Sequence, residues 1–85
     1  MNCWIYRSSR RDGMYLYLAV EDDMAAVPDE LMRQFGAPSR VMALELSPAR
    51  PLARVDVAKV IDALETDGFY LQLPPNLRPD LYFGD

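Results

Sequence analysis

Two stretches near the N-terminus, Asn2 to Arg7 and Met14 to Val20, are runs of β-branched, aromatic and aliphatic residues with no helical period. They read as strands. The polar segment between them, Ser8-Ser9-Arg10-Arg11-Asp12-Gly13, ends in an Asp-Gly pair suited to a turn with positive φ at its last residue. A β-hairpin is predicted, broken afterwards by Glu21-Asp22-Asp23. Val27 to Gly36 then reads as a short helix, with Pro28 at its first helical position and Asp29 and Glu30 at the positive end of its dipole. Val27, Leu31 and Phe35 recur four apart as its buried stripe, and Gly36 and Pro38 stop it. Arg40 to Leu46 is a third strand, closed by Ser47-Pro48.

Leu52 to Val55 can add a short strand before Asp56, which is placed to cap a second helix. There Val57, Val60, Ile61 and Leu64 repeat at the helical spacing, with Lys59, Asp62 and Glu65 on the wet face. Gly68 ends that helix, Phe69 to Leu73 forms the last strand, and Pro74-Pro75 open an extended tail. The order β-β-α-β-α-β predicts a two-layer α+β domain. Its mixed, mostly antiparallel sheet carries both helices on one face. Residues 1–75 form the domain and 76–85 the tail.

Several of these blocks resemble the bacterial YcgL domain family: Ile5-Tyr6-Arg7-Ser8-Ser9, Tyr15-Leu16-Tyr17, Val27-Pro28-Asp29-Glu30-Leu31-Met32, Phe35-Gly36 and, above all, Gly68-Phe69-Tyr70-Leu71-Gln72-Leu73-Pro74-Pro75. They occur in order from residue 3 to about 75. The resemblance implies a small bacterial cytosolic α/β domain with no established biochemical activity, and so no catalytic residues to carry over.

Composition narrows the function further. With 85 residues, 51% of them hydrophobic, the chain makes one thin core and is too apolar for disorder. It has no apolar run long enough to span a bilayer and no secretory leader, which points to the cytoplasm. A single cysteine and no histidine exclude an internal disulfide and a zinc set. The four glycines all read as turn or cap positions, so no phosphate loop is present. Without histidine, general-base chemistry falls to carboxylates, Lys59 or the α-amine, and no nucleophile stands beside one. No catalytic residue, cofactor site or metal site is assigned, and the chain is read as a non-enzyme.

Two surfaces are candidates for recognition. Strand alternation separates Tyr15 and Tyr17 from Leu16 and Leu18, and Tyr70 and Gln72 from Phe69 and Leu71. If the aliphatic sets meet the helices, then Trp4, Tyr6, Tyr15, Tyr17, Tyr70 and Gln72 share a helix-free face. Such a face suits a protein partner, with monomer or weak homodimer both open. The alternative is single-stranded RNA, its bases stacked on the tyrosines. The second candidate is Arg7, Arg10 and Arg11, an anion site at the hairpin or a solvated tip. The net charge of −4 disfavours bulk attraction to nucleic acid but leaves a local basic site possible. Glu21-Asp22-Asp23 is read as a solvated bend, and Cys3 as a buried, inert thiol.

Overall fold

The computed structural model describes residues 1–52 and 55–74. Within them the elements are β1 (Asn2–Arg7), β2 (Tyr15–Leu18), α1 (Asp29–Phe35), β3 (Ser39–Glu45), α2 (Val57–Thr66) and β4 (Phe69–Gln72), with a 3-10 turn at Met24–Ala26. This is the α+β order expected. The tail from residue 76 and half of the possible strand over Leu52–Val55 lie outside the described residues.

Local signals act as their chemistry requires. Gly13 adopts φ +81° in the hairpin and Gly68 φ +87° after α2. The Asp56 carboxylate accepts a hydrogen bond from Ala58 N at 2.9 Å, capping α2. Pro28 sits one position earlier than expected, as the cap residue of α1.

The sheet has the order β3-β1-β2-β4, and all three pairings are antiparallel, so it is not mixed. The central hairpin pairs Trp4 with Leu18 and Tyr6 with Leu16, while Ile5 faces Tyr17. Opposed residues share a face. One face therefore gathers Tyr6, Leu16 and Leu18 with Met14, and Val27 and Phe35 close over them from α1 and its approach. The other gathers Cys3, Ile5 and Tyr17, closed by Val60 and Leu64 of α2 together with Leu46.

The two helices thus cover opposite faces. The two-layer arrangement with both helices on one side is corrected to three layers, helix–sheet–helix. The reason is physical: β1 and β2 are buried on both sides, with four of their ten residues under 5% exposed and Ile5 and Tyr17 at 7% and 6%. A strand apolar on both faces needs cover on both. Topology supplies it. The chain crosses the sheet once from β2 to β3 through α1, then returns across its full width from β3 to β4 through α2.

Cys3 is fully buried under α2. Burial pushes its thiol up to about 11 from an ordinary 9.0, and the N-terminal ammonium pulls weakly the other way. A folded-state value above the unfolded one means that the folded chain holds the proton more tightly. The resulting stabilisation is complete below pH 9 and is lost as pH rises towards 11. At pH 10 the loss is about 1 kcal/mol. Urea unfolding of the wild type and Cys3→Ala between pH 8 and pH 10.5 checks this: the difference in stability between them shrinks with pH if the thiol is the titrating group.

Candidate functional site

The hairpin loop does not stand free in solvent. It is docked on the C-terminus of α1, where a helix leaves carbonyls without internal partners. Ser8, 7% exposed, donates its hydroxyl proton to Phe35 O at 2.5 Å and accepts from Arg10 N and Arg11 N at 3.1 and 3.0 Å. Arg10 Nη1 donates to Arg33 O at 2.7 Å. Ser9 Oγ accepts from Ala37 N at 2.8 Å. Two side chains of the loop therefore satisfy the last carbonyls of the helix, and a cation stands at its negative end.

Docking leaves an open concavity of about 470 Å3, lined by Arg10, Arg11, Arg33 and Gln34. Three arginines thus line the depression where the hairpin meets α1. Arg10 is held in place through its bond to Arg33 O, which leaves its other N–H donors available. Arg33 makes no ion pair with the described residues. Such an arrangement can grip carboxylate or phosphate oxygens in fork geometry.

Arg7 does not join this group. It pairs with Tyr15 and Ser39 in the sheet, on the face of Cys3 and Ile5, away from α1. Arg33, absent from the hairpin reading, takes its place. Nothing in the spacing of Arg33 announces this, because the contact comes from folding the loop over the end of α1. Ser8 and Ser9 are committed to backbone groups.

The aromatic face divides. Trp4 and Tyr6 lie towards α1, whereas Tyr15, Tyr17, Tyr70 and Gln72 lie towards α2. Tyr6 is 2% exposed; its phenol donates to Asp22 Oδ1 at 2.7 Å and accepts from Asp22 N at 2.8 Å. Burial and the donated bond push that phenol above its ordinary value. Tyr17 OH donates to the buried Gln72 Oε1 at 2.8 Å, and its ring meets Tyr70 edge-to-face with centroids 5.8 Å apart. A helix-free stacking platform is therefore absent from the described residues, because the tyrosines that would build it form the second core.

The acidic bend also has structural work. Asp22, at φ +59°, holds Tyr6, and Glu21 pairs with Arg40 of β3. Glu21 and Asp22 are exposed, as the sequence reading expects, and the bend's contacts with Tyr6 and Arg40 come from partners distant in the chain.

No helix among the described residues is long and apolar enough to cross a membrane. The chain matches the family model of the YcgL domain over residues 3–75. It is 51% identical over 75 residues to a YcgL domain-containing protein of Vibrio atlanticus, covering 88% of this chain and 77% of that one. It is 49% identical over 78 residues to a counterpart from Serratia proteamaculans, covering 92% and 87% of the two chains. A third, from Pectobacterium atrosepticum, is 52% identical over 75 residues, 88% of each. The fold, the ordered sequence blocks and these matches agree: the chain belongs to the YcgL domain family.

Proposed function

We propose that this domain is a small cytosolic interaction module, without catalysis of its own, that holds an acidic segment of a protein partner in the arginine concavity. The observation that carries the reading is the convergence of Arg10, Arg11, Arg33 and Gln34 around one open depression. On a chain of net charge −4 such a cluster stands out as a local positive field, and a concave wall focuses that field. Guanidinium forks suit carboxylates, and the Gln34 amide suits a peptide backbone. Single-stranded RNA is the weaker reading. Its phosphates would find the same arginines, but with Tyr6 and Tyr17 buried the bases would lack a stacking surface.

The test uses fluorescence anisotropy with two labelled probes, a glutamate-rich octapeptide and an oligouridine of equal length, at low and physiological salt. The peptide is expected to bind the wild type, and Arg11→Glu with Arg33→Glu to weaken it by more than about tenfold. Tighter binding of the oligouridine, lost in the same variant, would move the function to nucleic acid. If neither probe binds at low salt, the concavity is only the cap of α1.

A further inference from the structure

The cover over both faces centres on β1 and β2, and the border strands β3 and β4 are the sheet's edges. β4 offers four residues and runs directly into Leu73-Pro74. β3 offers seven, of which six are exposed, and Val41 and Met42 are 50% and 46% exposed. Edge strands are normally protected by central charges or proline. Between Arg40 and Glu45 the run Val41-Met42-Ala43-Leu44 contains neither.

We propose that β3 is a self-association edge, along which two copies of this chain pair antiparallel about a two-fold axis through Ala43. The bulge in β3 sets the register. Asn2, Trp4 and Tyr6 oppose Glu45, Ala43 and Arg40, while Cys3 and Ile5 oppose Leu44 and Met42, leaving Val41 as the extra residue. Because of that extra residue, Arg40 and Glu45 project from the same face of the sheet, the α1 side, although five positions apart. Without it they would alternate to opposite faces.

Antiparallel pairing through Ala43 then sets Met42 and Leu44 against Leu44 and Met42 of the second copy on the α2 side. The two small Ala43 side chains meet at the axis. Glu45 comes opposite Arg40 of the second copy, twice over, by symmetry. Apolar residues thus meet apolar residues and each charge meets its opposite, the complementarity that stabilises cross-strand pairs. Arg40 already holds Glu21, and its guanidinium has donors to spare for a second carboxylate. A second copy, not an unrelated strand, is the occupant because β3 is complementary to itself.

Sedimentation equilibrium from about 10 μM to about 1 mM, the range of weak specific dimers, tests this. The wild type is expected to approach twice the chain mass. Arg40→Glu and Glu45→Arg each place like charges opposite one another and should weaken the dimer by about tenfold or more. An equimolar mixture of the two variants restores opposite charges at both pairs and should recover the wild-type affinity. A wild type that stays monomeric throughout, a dimer indifferent to both variants, or a mixture no tighter than its components would each overturn the proposal. None of these outcomes bears on the arginine concavity, which lies on other elements.

Discussion

Tyr17→Ala is expected to cost about 3–5 kcal/mol, as deletion of a buried aromatic does. A domain of this length has about 4–13 kcal/mol in total at typical per-residue stability, so the variant should be largely unfolded well below the wild-type midpoint. Three losses combine. The ring is 6% exposed beneath α2, packed with Cys3, Ile5, Val60 and Leu64, and its removal leaves a cavity in that core. Its edge-to-face contact with Tyr70 disappears. Gln72, 8% exposed, loses the hydroxyl that its carbonyl accepts and is left buried without it. Tyr17→Phe keeps the ring and should cost only the last of these, about 1–3 kcal/mol. Urea unfolding followed by near-ultraviolet circular dichroism separates the two. An alanine variant as stable as the wild type would mean that α2 does not cover this face.

The second large effect is expected at Gly36, whose φ of +82° and ψ of −153° fall in a region essentially reserved for glycine. Any L-residue there costs about 1–3 kcal/mol of backbone strain alone. A Cβ would also stand 2.4 Å from both Ser9 Oγ and Arg10 Cγ, so the hairpin loop must lift. Lifting it weakens the Ser9–Ala37 and Arg10–Arg33 hydrogen bonds, at about 1 kcal/mol each. Gly36→Ala should therefore cost about 3 kcal/mol or more. It should also weaken any acidic peptide bound at the concavity, since Arg10 loses its anchor. Thermal unfolding and peptide anisotropy on one preparation measure both. An unchanged melting temperature would show that the loop seats differently.

How much of this was legible in the chain depends on the range of the interaction. The elements were, because their signals are local: Asp56 caps the residue two beyond it, and Gly36 and Gly68 supply positive φ within one turn of a helix. The sidedness of the sheet was not. Tyrosine reads from sequence as a half-wet strand residue, yet Tyr17 becomes core because Gln72, 55 positions away, satisfies its hydroxyl. Tyr6 does the same through Asp22. A buried phenol with a distant partner is indistinguishable in the sequence from an exposed one. The candidate site was half legible for a similar reason. Arg10 and Arg11 belong to the cluster and could be named from the hairpin, while Arg33 joins only because Ser8 and Arg10 clasp the end of α1. The bulge at Val41, on which the self-pairing register depends, leaves no trace in the apolar pattern.

Strands consecutive in the chain, β3 and β4, occupy opposite borders of the sheet, and α2 is the strap between them. Such wiring puts the most distant pairing, β2 with β4, last in any plausible order of assembly, after the local β1–β2 hairpin. Until that pairing forms, Tyr17 and Ile5 lack their cover. A chain emerging during synthesis carries an uncapped apolar surface through most of its length, and loses it only when the segment around Tyr70 arrives. The interval between hairpin and strap is when this small domain is most exposed to aggregation and to chaperones.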